Sequence, residues 1–132
     1  MEAYELWQKA VKAREFSYSP YSGFKVGAAL LCKNGEVVQG CNVENSVYGP
    51  SNCAERTAFF AAVAKGQREF EAIAIAGGKE ELVMCYPCGV CRQVMAEFCD
   101  PDNFHVICGM NKEKLEILTL RELLPKSFEM QD

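Results

Sequence analysis

Several things are scarce in this chain of 132 residues. It has one histidine and one tryptophan, and no apolar run longer than the seven residues Ala58 to Ala64. It also has no stripe of clustered Lys and Arg. Seven residues are too few to cross a bilayer, which takes about 20. The chain opens Met1-Glu2-Ala3-Tyr4-Glu5, with neither a basic nor an apolar leader, so a reducing, cytoplasmic compartment is expected. A net charge of −4 without a basic stripe argues against a polynucleotide partner, since phosphate contacts supply most of such a binder's affinity. A small molecule is expected instead. No internal repeat, linker or low-complexity tract interrupts the pattern, and residues 1–132 read as one domain with one core of ordinary size. The lone histidine, His105, lies in an apolar stretch and is expected to be a core residue.

Cysteine is abundant: there are eight. In a reducing compartment they do not form a disulfide framework. Three of them sit at the starts of segments that read as helices, in Cys53-Ala54-Glu55-Arg56 and in Pro87-Cys88-Gly89-Val90-Cys91. A helix start presents unpaired N–H groups and partial positive charge, which favour thiolate over thiol. Cys88 and Cys91 are three apart and share a helical face. The 34 residues between Cys53 and Cys88 hold one helix and one strand, enough to bring the two helix starts together. Three thiolates with a fourth position open is a catalytic zinc arrangement. Glu55, two residues beyond the first ligand, is placed to serve that position.

Two other readings use the same cysteines. A closed structural site would recruit Cys85, which the spacing permits. However, Cys85 precedes Pro87 on the strand side of the turn, and a full ligand set leaves Glu55 without purpose. A redox dithiol at Cys88 and Cys91 leaves both Cys53 and Glu55 unexplained. Three thiolates on a divalent ion leave one net negative charge. Arg56, unfavourable against the helix dipole, is expected to donate to the sulfurs. Cys32, Cys41, Cys85, Cys99 and Cys108 lie mostly in apolar stretches and read as small core residues.

Along the chain, Tyr4 to Phe16 has apolar residues at helical spacing, suited to covering one face of a sheet. Ser17 to Gly23 is a loop. Phe24 to Cys32 is strand-like, and Asn34-Gly35 predicts a hairpin returning antiparallel through Glu36 to Cys41. Asn42 to Asn52 is a long polar loop of the kind that carries function. Ala54 to Lys65 is apolar on nearly all sides, predicting a buried helix that Gly66 can cap. Ala72 to Ala76 predicts a central strand buried on both faces, and Cys88 to Phe98 a second metal-bearing helix. Phe104 to Cys108 and Leu115 to Leu118 are strands too close in sequence for a parallel crossover, so they should pair antiparallel. Thr119 and Glu122 form a capping box for a last helical turn that Pro125 stops. This order predicts an α/β domain with helices on both faces of a mixed sheet.

The ordered pair Cys53-Ala54-Glu55 and Pro87-Cys88-Gly89-Val90-Cys91 resembles the zinc deaminase signature in its Cys-x-Glu form. Tyr18-Ser19-Pro20-Tyr21-Ser22, Gly40 to Asn45, Cys53 to Ala58, Pro87 to Val94 and Arg121 to Pro125 are similar to the small cytidine deaminases over nearly the whole chain. The resemblance implies a three-layer α/β/α fold with a five-stranded mixed sheet. It also implies one Zn²⁺ per subunit on Cys53, Cys88 and Cys91, and hydrolytic deamination of cytidine and 2′-deoxycytidine in pyrimidine salvage. Glu55 would be the proton shuttle of the reaction this family is known for. Asn42 and Glu44 match positions that hold the ribose hydroxyls, Phe24 the residue against the base, and Ala54 the backbone group at the base carbonyl. Tyr48 and Phe128 resemble residues lent to a neighbouring subunit's site in a homotetramer. A deaminase for nucleotides or polynucleotides would need a basic phosphate pocket that the charge balance does not show. A structural zinc module would bind metal without hydrolysis.

Overall fold

In the computed structural model, which describes residues 1–131, five strands form one sheet. They are β1 (Lys25–Cys32), β2 (Val37–Cys41), β3 (Phe70–Gly78), β4 (His105–Asn111) and β5 (Lys114–Thr119), in the order β2-β1-β3-β4-β5. Asp132, the last residue assigned to the domain, lies outside the described residues. Asn34-Gly35 makes the expected hairpin, with Gly35 at φ +94 where a side chain would be strained. β1 also pairs antiparallel with β3, β3 parallel with β4, and β4 antiparallel with β5. The sheet is therefore mixed, and its one parallel pair needs a crossover. Helix α3 (Gly89–Phe98) lies on that crossover.

The alternation of strand side chains sorts the core into two layers. Ala29, Leu31, Ala72, Ala74, Ala76 and Ile107 face α1 (Ala3–Ala13), which buries Leu6, Trp7 and Ala10 against them. The larger Leu30, Ile73, Ile75 and Val106 face α2 (Ala54–Ala64), α3 and the short α4 (Leu120–Leu123). Small side chains on the first face let α1 approach closely. The indole N–H of Trp7 reaches the Ile75 carbonyl at 3.1 Å, inside the sheet. On the second face Gly40 does the same for α2: a Cβ there would lie 2.5 Å from the Ala58 nitrogen.

The helix ends follow their caps. Gly66, at φ +95, and Gln67 close α2 by donating to the Val63 and Ala62 carbonyls, a Schellman arrangement. The Thr119–Glu122 capping box is present at α4.

Two expectations need correction. His105 is exposed, not core. It lies on the same face of β4 as Ile107, but at the start of the strand, where α1 does not cover it. Helix α2 is not buried all round either. Ala54, Glu55, Ala58, Phe59 and Ala62 turn inward, while Phe60 is 49% exposed on the outer side. Only one face of this helix meets the sheet.

Candidate metal centre and active site

Two helix starts meet in the second layer. The loop 42–52 is closed at its mouth by paired bonds between Val43 and Asn52, at 3.0 and 2.9 Å, which deliver the chain to Cys53 as the N-cap of α2. Cys88 is the N-cap of α3, its sulfur accepting the Cys91 N–H at 3.4 Å. The Cys53, Cys88 and Cys91 sulfurs all lie within 4.8 Å of one another, and Cys53 and Cys88 are 3.9 Å apart. Zn–S bonds of about 2.3 Å put tetrahedral sulfurs about 3.8 Å apart. The donor set therefore fits zinc in both chemistry and spacing. Cys85 stands outside this cluster, so the closed four-cysteine reading has no geometric support.

Charge is arranged around the sulfurs. The Arg56 guanidinium donates to Cys53 Sγ at 3.2 Å, as expected. The neighbouring Cys91 thiol and, against burial, the Arg56 guanidinium hold the Cys53 thiol down to about 5. The nearby Cys53 sulfur, with burial, pushes the Cys91 thiol up.

Glu55 is 4% exposed, the buried charged residue of the described chain. Burial pushes its carboxyl up to about 7, with the Cys53 charge adding to that. Its own backbone N–H, Cys91 and Arg56 oppose the rise, and desolvation wins. A carboxyl that exchanges its proton near neutrality can act as both acid and base.

Phe24, Asn42 and Glu44 are brought together by the loops flanking β1 and β2. The Asn42 amide donates to the Phe24 carbonyl at 2.8 Å, and its oxygen accepts the Val26 N–H at 2.9 Å and the Ser17 hydroxyl. Glu44 accepts the N–H groups of Tyr21 and Ser22 at 3.0 and 3.1 Å and the Ser22 hydroxyl. The Ser22 bonds hold the Glu44 carboxyl below the usual carboxylate range. Ala54 is the first residue of α2, where an amide has no acceptor within the helix.

Tyr48 and Phe128 stand apart. Tyr48 is 73% exposed, edge-on to Tyr21 with ring centroids 6.3 Å apart. Phe128 is 71% exposed in the C-terminal tail, where its carbonyl accepts from Gln93 at 3.1 Å. Its ring lines a cavity of about 370 Å³ along α3 that contains none of the three thiols.

Two features escaped sequence reasoning. Cys85 packs against Gly77 beside the Phe24 ring: a Cβ on Gly77 would lie 2.9 Å from the sulfur and 3.1 Å from the ring. Burial, then the charges of Glu55 and Cys53, push its thiol up to about 11, so it stays neutral at the edge of the site. Arg14 ties the end of α1 to the carbonyls of Lys25, Gly78, Lys79 and Glu80. No local pattern marks either contact.

Thiolates at two helix starts, with a buried carboxyl beside them, define a zinc-dependent hydrolase centre. The comparisons agree. Residues 1–109 match the family model described as the cytidine and deoxycytidylate deaminase zinc-binding region, and the chain belongs to this family. It is 47% identical over 132 residues to a cytidine deaminase of Halalkalibacterium halodurans, spanning 100% of this chain and 98% of that one. A cytidine deaminase of Sporosarcina psychrophila is 48% identical over 132 residues, 100% of this chain and 95% of the relative. The crystal structure of cytidine deaminase from Burkholderia pseudomallei superposes with a TM-score of 0.89 at 46% identity, covering 97% of this chain and 100% of that one. The five-stranded α/β/α fold expected from the sequence is thus the fold of that family.

Proposed function

We propose that this chain hydrolyses cytidine and 2′-deoxycytidine to uridine and 2′-deoxyuridine with release of ammonia, a pyrimidine salvage reaction of the cytoplasm. The observation that carries the reading is the Glu55 carboxyl, buried beside three sulfurs that gather within 4.8 Å. Cys53, Cys88 and Cys91 would hold zinc, which when bound supplies a Lewis acid that makes a water more acidic. Glu55 takes a proton from the attacking water and hands it to N3 of the pyrimidine as the oxygen bonds to C4. It then passes the second proton of that oxygen to the amino group, which leaves as ammonia. A carboxyl poised near neutrality suits both transfers.

Asn42 and Glu44 hold the sugar in this reading. Their bonds to the loop leave one Asn42 amide hydrogen and lone pairs on the Glu44 carboxylate, one donor and one acceptor for a diol. Phe24 packs on the base, and the Ala54 amide meets the base carbonyl. Residues 1–132 act as one domain in a homotetramer, with Tyr48 and Phe128 lent to neighbouring sites. The exposure of both rings, and of Phe60, supports association.

An ultraviolet assay for loss of cytidine absorbance, run beside a zinc determination, tests the reading. Turnover with one zinc per chain is expected. Zinc without turnover would leave a structural zinc module, and a strong preference for cytidine monophosphate would move the activity to nucleotides.

A further inference from the structure

Both metal-bearing helices carry an arginine in or just after the first turn, against the helix dipole. Arg56 of α2 is spent on a thiol. Arg92 of α3 follows the ligand Cys91 directly, yet its side chain turns to two carbonyls. Nε donates to Pro87 at 2.7 Å and Nη1 to Leu123 at 2.7 Å.

The two carbonyls belong to different parts of the chain. Pro87 is fully buried and immediately precedes Cys88, the most exposed of the three thiols. Leu123 is the last residue of α4, where a carbonyl has no acceptor role left within the helix and takes its partner from elsewhere. Helix α4 is itself docked by buried Leu120, whose N–H donates to Phe104 at 3.1 Å. The next residue of α3, Gln93, donates to the tail at Phe128. One turn of α3 thus joins the metal loop to the C-terminal segment.

We infer that Arg92 is a positioning residue of the metal centre: by holding the Pro87 and Leu123 carbonyls together, it makes zinc retention at Cys88 depend on the docking of α4. The loop before Cys88 carries Tyr86, whose hydroxyl donates to Glu116 at 2.8 Å at the surface. That exposed bond is weak in water, which leaves the charged, partly buried Arg92 bonds as the firmer restraint. Because the coupling is an equilibrium property, it runs both ways: losing zinc also loosens α4. The inference rests on the metal centre and not on the substrate assigned above, and it is read from zinc and not from turnover, so the two can fail separately.

The zinc-loaded protein and its Arg92→Gln, Arg92→Lys and Arg121→Gln variants are mixed with excess chelator, and zinc release is timed at a temperature where all remain folded. Arg92→Gln should release zinc about 10-fold faster or more. Arg92→Lys, able to reach one carbonyl at a time, should fall between it and wild type. Arg121→Gln, which removes the Arg121–Asp102 pair of the same α4, should release at the wild-type rate. That pair is solvent-exposed and adds little to the docking of α4, so this variant controls for the loss of a positive charge near the site. A second measurement needs no variant: hydrogen exchange of wild type with and without zinc. Removing zinc should speed exchange in residues 120–124 while leaving residues 3–13 of α1 unchanged. Equal release from Arg92→Gln and wild type, or α4 exchange indifferent to zinc, overturns the inference. A wild type that holds no zinc would overturn the metal centre itself.

Discussion

Arg56 reaches Cys53 Sγ across a single turn of α2, at 3.2 Å. The cation sits where the helix dipole disfavours it, and the thiolate is what compensates. Its Nε is buried without a partner among the described residues, so the side chain is held mainly by sulfur. Arg56→Gln should therefore lower zinc affinity about 10-fold and move the pH–rate profile upward, because uncompensated thiolate charge makes the attacking water harder to ionise. Unchanged zinc affinity and an unchanged profile would return Arg56 to a surface role.

Three of the eight thiols gather, and Cys85, three residues before Cys88, stays aside. Replacing Cys53, Cys88 or Cys91 by Ala should abolish both zinc binding and turnover. Cys85→Ala should keep both, since its neutral thiol packs on Gly77 outside the cluster. Metal analysis of the four purified variants decides this. Loss of zinc from Cys85→Ala would restore the closed-site reading.

Glu55 makes two separable predictions. Glu55→Gln should keep zinc and fold but lose at least ~10²–10⁴-fold in turnover, the usual weight of general acid–base catalysis. In the metal-free protein it should also alter the pH dependence of stability. The carboxyl titrates at about 7 when folded against an ordinary 4.5. Below the ordinary value both states are protonated and nothing is lost. As pH rises to about 7 the unfolded chain ionises first, and wild type loses about 3 kcal/mol relative to a side chain that does not titrate. Glu55→Gln escapes that loss. Urea unfolding at pH 4.5 and pH 8 should show the variant gaining on wild type, and parallel behaviour would contradict the burial argument.

A site shared between subunits predicts complementation. Glu55→Ala and Phe128→Ala should each be nearly inactive or strongly impaired alone. Refolded together, some sites would combine intact Glu55 from one chain with intact Phe128 from the other. Activity should then exceed that of the two proteins mixed without exchange. If mixed oligomers form, as seen by mass, and activity stays flat, Phe128 serves its own subunit or none.

Local chemistry made much of this molecule readable from its residues. Asn34-Gly35 announced the hairpin, Gly66 the end of α2, Thr119 and Glu122 the box at α4. The alanine-isoleucine run at residues 72–76 announced the central strand. The metal triad was legible because helix starts and i, i+3 spacing are local signals. Burial was less so. His105 stands in an apolar stretch but at a strand end that α1 does not reach, and Phe60 belongs to an apolar helix with only one covered face. Both depend on what lies across the sheet, which spacing along the chain does not encode. The same limit hid Arg14 and Arg92, whose acceptors are main-chain carbonyls, most of them distant in sequence and none with a side-chain signature.

Trp7 and the metal thiols occupy opposite layers of one sheet. The single indole, hydrogen-bonded to the Ile75 carbonyl under α1, is a natural fluorescent gauge of the layer that carries no metal. Zinc captured by a coloured chelator gauges the other. Two melting curves recorded on one sample would show whether the strands fuse both layers into a single cooperative unit. A lower midpoint for zinc would mean that the catalytic layer opens while the α1 layer still stands.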